Sequence, residues 1–215
     1  MTSGAATTVV HIVRHGEVFN PDGVLYGRLP EFHLSELGRE MAEVTADYLA
    51  DHDVRYIAAS PLERAQETAE PIVAWHEVEL VTDRQLIEAE NHFEGTTVAS
   101  GGVLHRPQHW RYLINPFQPS WGEPYRQIAT RMLAALSAAR RGARGGEAVL
   151  VSHQLPVWTV RQRLEGKRLW HDPRQRECTL ASVTSVRYVG DDPVEVMYAE
   201  PAGHLLAAAQ PGAGA

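Results

Sequence analysis

Residues 9–17 read VVHIVRHGE, and this stretch decides the fold. Its first five residues form a short run rich in β-branched side chains, which is typical of a buried parallel strand. The run stops at Arg14, His15 and Gly16, where a cation, an imidazole and a small flexible residue follow one another. A strand that ends on such residues predicts a polar site at its carboxyl end.

The pattern of an apolar run followed by polar residues recurs along the chain. Further strands are predicted at 56–59, 78–82 and 148–152. The polar residues that come after them are Arg64, in the segment SPLERA, then Glu88, and finally His153. Because the carboxyl ends of parallel strands meet at one edge of a sheet, these side chains are expected to converge on the site after the first strand.

Apolar residues between the predicted strands recur at helical spacing. The clearest helix is 35–51, which Ser35 is placed to cap. Other helices are predicted at 62–70, 125–141 and 155–164, and closing strands at 180–188 and 194–198. Pro71 is expected to kink or divide the second helix. The alternation predicts an α/β fold, a three-layer α/β/α sandwich with a mostly parallel central sheet.

The chain length of 215 residues suits one domain, which we assign to residues 1–206. Residues 96–124 combine four prolines with several aromatic side chains and are interpreted as a cap or lid inserted over the site. A packed surface loop is the alternative. Residues 207–215 carry little apolar bulk and are expected to form a disordered tail.

The charge and cysteine content limit the classes of partner and compartment. The net charge of −7 argues against binding to nucleic acid or to an anionic membrane. No secretory signal is recognised in residues 1–8, and no apolar run has the roughly 18 residues that span a bilayer. Cys178 is the single cysteine, so a reducing cytoplasmic location is predicted. The sequence is compatible with a homodimer.

Together the four motifs resemble those of the histidine phosphatase superfamily, which includes cofactor-dependent phosphoglycerate mutases and broad-specificity phosphatases. The resemblance extends from about residue 9 to residue 188, with the motifs in the family's order, and implies a phosphoglycerate mutase-like fold. The roles it implies are nucleophile for His15, phosphoryl-oxygen ligands for Arg14 and Arg64, second pocket histidine for His153, and proton donor for Glu88.

Elementary chemistry supports these residue types. A phosphomonoester carries nearly two negative charges at neutral pH, and the planar guanidinium offers paired donors to its oxygens. An imidazole kept neutral by nearby cations can attack phosphorus. A buried carboxylic acid of raised pKa can protonate the leaving oxygen. This chemistry needs no metal and no cofactor.

Four of the candidate residues depart from the family's spacing or leave alternatives open. Glu90 and Glu94 lie close to Glu88, and the spacing from Glu88 to Gly95 is one residue shorter than is common in the family, so either neighbour is an alternative acid. Asn20 stands one residue before the position of the family's asparagine and is a candidate substrate contact. Gly27 and Arg28 are further candidate substrate contacts, with a plain turn as the alternative.

A metal centre is not predicted. The chain contains 11 histidines, but it has no HExxH pattern and no Cys–His set. His105 and His109 are interpreted as surface histidines.

The function predicted from these residues is metal-independent hydrolysis of small phosphomonoesters through a phosphohistidine. One alternative is a phosphoglycerate mutase-type phosphotransferase, which needs a pocket that grips a diphosphorylated intermediate. Residues 96–124 offer only Arg106 and Arg111 with two histidines for that purpose, which favours hydrolysis. The other alternative is a catalytically silent protein that binds a phosphorylated ligand. In each case the predicted partner is a small phosphorylated molecule.

Overall fold

The predicted strands join in one sheet. A computed structural model of the chain describes residues 6–97 and 122–209. Its strands are β1 (Thr7–Arg14), β2 (Val54–Ala59), β3 (Leu80–Thr82), β4 (Glu147–Ser152), β5 (Val183–Val189) and β6 (Asp192–Ala199). They lie in the order β3-β2-β4-β1-β5-β6, and the first four are parallel to one another. β5 is antiparallel to both of its neighbours, so the sheet is mixed and mostly parallel, as predicted.

Helices cover both faces of this sheet. They are α1 (Glu36–Leu49), α2 (Glu63–His76), α3 (Tyr125–Gly142) and α4 (Gln154–Leu164). α1 packs with α2 on one face, and α3 packs with α4 on the other. This confirms the three-layer α/β/α sandwich. None of the helices within residues 6–97 and 122–209 combines the length and the apolarity needed to cross a bilayer.

The two central strands, β1 and β4, are mostly apolar, and each supplies side chains to two cores. Ile12 and Leu150 point into the core under α3 and α4. Val13 and Val151, the next residues along, point into the core under α1 and α2. All four are fully buried. Successive side chains of a strand point to opposite faces, so a continuous apolar run predicts a strand that is covered on both sides.

The structure confirms the predicted start of α1 but not the predicted end of α2. Ser35 caps α1 as predicted, with its Oγ accepting a hydrogen bond of 2.9 Å from the Gly38 amide. The predicted end of α2 at residue 70 was wrong, because this helix continues through Pro71 as far as His76 and is not divided there. Proline removes one backbone hydrogen bond from a helix. The burial of Ala69 and Ile72 against the sheet holds α2 together in spite of that loss.

The boundaries near the carboxyl end also differ from the expectations. β5 begins at Val183 rather than at residue 180, because Ala181 adopts a left-handed backbone with φ of 53°. A short 3-10 helix, Gly203–Ala208, extends past the expected domain boundary at residue 206. Leu206 and Ala209 pack against the cluster around Met41, so the tail does not begin at residue 207. Residues 210–215 lie outside the described part of the chain.

Most of the expected cap also lies outside the described residues. Only the ends of the segment 96–124 are described, and each end is tied to the domain by an isolated β-bridge. Thr97 pairs with Val24, and Gly122 pairs with Asn91. The interpretation of 96–124 as a cap stays a prediction.

Candidate active site

The two motif histidines are neighbours because their strands are neighbours. β1 and β4 are parallel partners, with Arg14 opposite Ser152. The chain leaves both strands at the same edge, and the amide of His15 donates a hydrogen bond of 3.1 Å to the Ser152 carbonyl. The rings of His15 and His153 lie with their centroids 5.1 Å apart. The structure therefore brings these two residues together as predicted from the strand ends.

His15 is oriented with one ring nitrogen free. Its Nδ1 lies 2.7 Å from the carbonyl oxygen of Gly16, which can only accept, so Nδ1 carries the hydrogen and Nε2 the lone pair. Nε2 is buried and has no hydrogen-bond partner among the described residues. Burial lowers the pKa of His15 well below its usual value, and the positive charges of Arg64 and Arg14 lower the pKa further. The imidazole is therefore held neutral, with its lone pair available.

Both motif arginines are buried and keep donors unused. Arg64 lies in the first turn of α2 with its side chain fully buried, and its Nη2 donates to the Gly27 carbonyl at 2.6 Å. Its guanidinium carbon lies 4.7 Å from the centre of the Tyr26 ring. Arg14 donates through Nη1 to the Cys178 carbonyl at 2.7 Å. Arg14 Nε and Arg64 Nε and Nη1 find no acceptor within residues 6–97 and 122–209.

His153 is positioned by the end of a third strand. Its Nε2 lies 2.7 Å from Oγ of Ser60, the residue that follows β2. Its Nδ1 is buried without a partner in the described part of the chain. Burial lowers the pKa of His153 well below its usual value, and the charge of Arg64 and the neighbouring His15 lower the pKa further. The second imidazole of the site is therefore also neutral.

Glu88 is the enclosed member of the three carboxylates that the sequence left open. It is buried, and its Oε1 accepts a hydrogen bond of 2.7 Å from the Ala89 amide. Burial raises the pKa of Glu88, against the opposing effects of this hydrogen bond and of Arg64. Glu90 is exposed, and Oε1 of Glu94 accepts the Arg28 amide at 2.9 Å. Burial beside Arg64 favours Glu88 as the acid.

The other three candidates make structural contacts. The side-chain amide of Asn20 closes a turn by hydrogen bonds with both backbone groups of Val24, at 2.9 and 3.0 Å. Gly27 offers its carbonyl to Arg64, as described above. Arg28 donates from Nε to the Glu88 carbonyl at 2.7 Å and from Nη2 to Glu123 at 3.0 Å. Contact of these residues with a substrate stays a prediction.

Two arginines near Glu88 were missed by the sequence interpretation. Arg131 of α3 donates to the Gln85 carbonyl at 2.6 Å and pairs with Glu123. Arg176 donates to Gln154, the residue after His153, at 3.2 Å. Both positive charges oppose the rise in the pKa of Glu88. Neither arginine follows a predicted strand or belongs to a recognisable motif, so no signal in the sequence distinguished them from solvated surface residues.

The assembled group suits a small anion that bears several oxygens. Two guanidinium groups with unused donors can hold such an anion from two sides. A lone pair on His15 Nε2 stands beside them, and a carboxyl group of raised pKa is enclosed with them. Nucleophile, oxygen ligands and acid are the components that phosphoryl transfer needs.

Comparisons with known proteins identify relatives that match almost the whole chain. A protein of Mycobacterium tuberculosis, Uncharacterized protein Rv0525, is 59% identical over 196 residues, which cover 91% of this chain and 97% of that protein. The structure of mycobacterial glucosyl-3-phosphoglycerate phosphatase Rv2419c superposes with a TM-score of 0.71 at 22% identity, covering 89% of this chain and 97% of that one. The phosphoglycerate mutase of Bacillus anthracis superposes with a TM-score of 0.69 at 21% identity, covering 96% and 98%.

The two structural likenesses establish a phosphoglycerate mutase-like fold. The sequence model of the histidine phosphatase superfamily (branch 1) matches residues 10–201, which is most of the chain. The protein is therefore a member of the histidine phosphatase superfamily.

Proposed function

We propose that the protein hydrolyses small phosphomonoesters through a phosphohistidine formed on His15, without a metal ion. The observation that carries this proposal is the state of His15 itself. Its Nε2 is buried, bears a lone pair and has no partner in the described residues, while Arg14 and Arg64 lie within electrostatic range. Buried guanidinium N–H groups of Arg14 and Arg64 that lack an acceptor in the described residues are costly unless an anionic ligand meets them.

In the first step, Nε2 of His15 attacks phosphorus and the bond from phosphorus to the ester oxygen breaks. The free donors of Arg14 and Arg64 bind the phosphoryl oxygens and stabilise the charge that develops on them. Nδ1 of His15 keeps its hydrogen bond to the Gly16 carbonyl, which favours the positively charged ring that forms on phosphorylation. His153 Nδ1 offers a further contact to the phosphoryl group.

Glu88 completes both steps by moving one proton. In its neutral form it donates this proton to the departing ester oxygen, so that an alcohol leaves. As a carboxylate it then accepts a proton from the water that attacks phosphorus, the bond to Nε2 breaks, and inorganic phosphate is released. The raised pKa of Glu88 favours the neutral form that begins the cycle.

The relatives carry names of both phosphatases and mutases, so the acceptor of the phosphoryl group must be tested directly. Water as the acceptor gives free phosphate, whereas a mutase returns the group to a second hydroxyl of the substrate. The small number of basic residues in 96–124 supports hydrolysis. A screen of phosphorylated metabolites that measures free phosphate and isomerised product separates the two activities.

The mechanism is tested with para-nitrophenyl phosphate in the presence of EDTA. The wild-type protein is expected to release phosphate and to give an acid-labile phosphoenzyme on rapid quenching. His15→Ala is expected to lose turnover by at least about 10³-fold and to give no phosphoenzyme. His33→Ala, which removes an exposed histidine from its pair with Glu67, is the matched control and should keep full activity. Equal activity of His15→Ala and wild type would disprove the proposal, and an inactive wild type that still binds phosphate would favour the silent binding protein.

A further inference from the structure

A second cluster of histidine and carboxylate side chains lies towards the amino ends of β2 and β4, away from the carboxyl ends that carry the candidate active site. His11 is in β1, His52 lies in the turn between α1 and β2, and Glu147 is the first residue of β4. Glu147 stands between β1 and β2, with Val9 and Val54 as its strand partners. His11 precedes His15 by four residues, which is about 13 Å along a strand. The cluster is therefore separate from the candidate active site.

The three side chains each direct one possible metal-ligand atom towards a common point. Oε2 of Glu147 lies 2.6 Å from Nε2 of His11 and 2.6 Å from Nδ1 of His52. One ligand atom from each residue lies within 4.8 Å of the other two. A tetrahedral Zn²⁺ ion with bonds of about 2.0–2.2 Å holds its ligand atoms roughly 3.4 Å apart. The Glu147 oxygen, now 2.6 Å from each imidazole nitrogen, must move roughly 0.8 Å away from both to admit such an ion.

The surroundings hold one histidine in place and leave access to the cluster. Nδ1 of His11 lies 2.8 Å from Oγ of Ser185, in β5, which fixes the ring with Nε2 towards Glu147. Metal-binding histidines typically bond their second nitrogen to an oxygen partner in this way. The side chain of His11 is 4% exposed, whereas those of Glu147 and His52 are 23% and 31% exposed. An ion can therefore reach a site whose deepest ligand is already fixed.

A third imidazole lies near the same cluster. His76 ends α2, and the charges of His52 and Glu147 act on it. Its Nε2 is buried and unpartnered among the residues that the structure describes. It is not one of the three converging ligands, and water can complete a tetrahedral shell without it.

We propose that His11, His52 and Glu147 bind one Zn²⁺ ion at a structural site. Two imidazoles and one carboxylate suit zinc, whereas Mg²⁺ and Ca²⁺ prefer shells made of oxygen atoms. The ion joins β1, β4 and the turn after α1, so its binding stabilises the folded chain. This proposal is independent of the proposed catalytic function, and no catalytic step passes through the ion.

The test is isothermal titration of metal-free protein with ZnCl₂, combined with thermal unfolding. Wild type is expected to bind one equivalent of Zn²⁺ and to unfold roughly 5–11 °C higher when free zinc exceeds Kd a hundredfold. MgCl₂ should give neither effect. His52→Ala and Glu147→Gln should lose the zinc-dependent increase in unfolding temperature, and Glu147→Gln serves as the second variant because it preserves side-chain volume.

Two controls keep the result specific. His33→Ala removes another histidine that pairs with a glutamate and should bind zinc as wild type does. His15→Ala tests whether the ion binds instead to the two imidazoles of the candidate active site. Zinc binding that survives Glu147→Gln but disappears in His15→Ala would overturn the proposal, and so would the absence of stoichiometric binding to wild type, which would leave the cluster as a hydrogen-bonded network.

Discussion

The Nε2 atom of His153 and the hydroxyl oxygen of Ser60 lie 2.7 Å apart, at the ends of the neighbouring strands β4 and β2. Ser60 is itself fixed, because its amide donates to the Val151 carbonyl at 2.9 Å. A hydroxyl hydrogen donated to Nε2 leaves Nδ1 of His153 as an N–H group, which no described residue accepts. In this tautomer, which a hydroxyl donor at Ser60 favours, Nδ1 of His153 can donate to a phosphoryl oxygen.

Ser60→Ala removes this partner and is expected to lower kcat/KM by about 10-fold, the value of one buried neutral hydrogen bond. The measurement is the rate with an aryl phosphate, together with the unfolding temperature as a check on folding. Ser60→Thr keeps the hydroxyl group and should restore most of the rate. The double variant with His153→Gln should be no slower than His153→Gln alone; additive losses would contradict a role for Ser60 through His153.

Glu88→Gln removes the proposed proton donor and leaves the shape of the side chain nearly unchanged. Alkyl phosphates depend on protonation of a poor leaving group, so we expect their turnover to fall by about 10²-fold. Aryl phosphates should lose less than about 10-fold, because their leaving group needs little protonation. Glu90→Gln, at an exposed position, is the matched control. Equal losses on both ester classes would assign the acid to another residue.

Much of this site could be predicted from the sequence because it is built from strand ends. The apolar run before Arg14 and the run before His153 each predicted a strand, and parallel strands bring their carboxyl ends together. Ser60 directly follows the strand predicted at 56–59, so the same signal applied to it, but Arg131 and Arg176 could not be assigned in this way. The roles of Arg131 and Arg176 depend on which segments of the chain meet in the folded protein, and residue spacing in the sequence does not indicate this.

Two further features could not be predicted from the sequence for a similar reason. Pro71 was expected to kink or divide α2 because proline lacks an amide hydrogen, but α2 is not divided, since burial of the neighbouring Ile72 outweighs one lost hydrogen bond. The cluster of His11, His52 and Glu147 escaped notice because its members lie far apart in the sequence and match no metal-binding spacing. The continuity of α2 and the meeting of these three side chains both depend on tertiary packing.

The pH dependence of activity is expected to differ between the two ester classes. Burial lowers the pKa of His15 well below its usual value of 6.5. The nucleophile therefore stays neutral at acidic pH values at which an ordinary histidine is protonated. The pKa of Glu88 is raised by burial above its usual value of 4.5, and the proton donor is lost as the pH rises through the raised value. Alkyl phosphates should therefore be hydrolysed best on the acidic side, with a falling limb at higher pH.

Profiles of kcat/KM against pH for alkyl and aryl phosphates check this expectation. The aryl profile is the internal control, since its ester carries the same phosphate group but needs little help from an acid. Only the alkyl profile should show the steep loss at higher pH, and Glu88→Gln should remove the difference between the two profiles. Alkyl turnover that rises steadily with pH would show that no protonated carboxyl group takes part.

Gly38 supports the nucleophile through the backbone. A Cβ atom at Gly38 would lie 2.0 Å from the carbonyl oxygen of Glu17, and a Cβ atom at Gly16 would lie 2.4 Å from the carbonyl oxygen of Gly38. The segment after His15 therefore packs directly on the first turn of α1. Replacement of glycine by alanine inside a helix ordinarily stabilises it by up to about 1 kcal/mol. At Gly38 the same replacement is expected to destabilise the protein, because neither carbonyl oxygen can move without disturbing the segment that carries His15.

Gly38→Ala is accordingly expected to lower the free energy of unfolding by about 2 kcal/mol, the middle of the range for an overpacked site. The corresponding fall in unfolding temperature is about 4–8 °C for a chain of this size. Activity should fall as well, since Gly16 must shift with the nucleophile next to it. Gly203→Ala is the matched control, because its Cβ atom would meet its nearest neighbour at an ordinary 3.5 Å. If Gly38→Ala unfolds at the temperature of Gly203→Ala and keeps full activity, the close packing of these two backbones is not needed to hold His15.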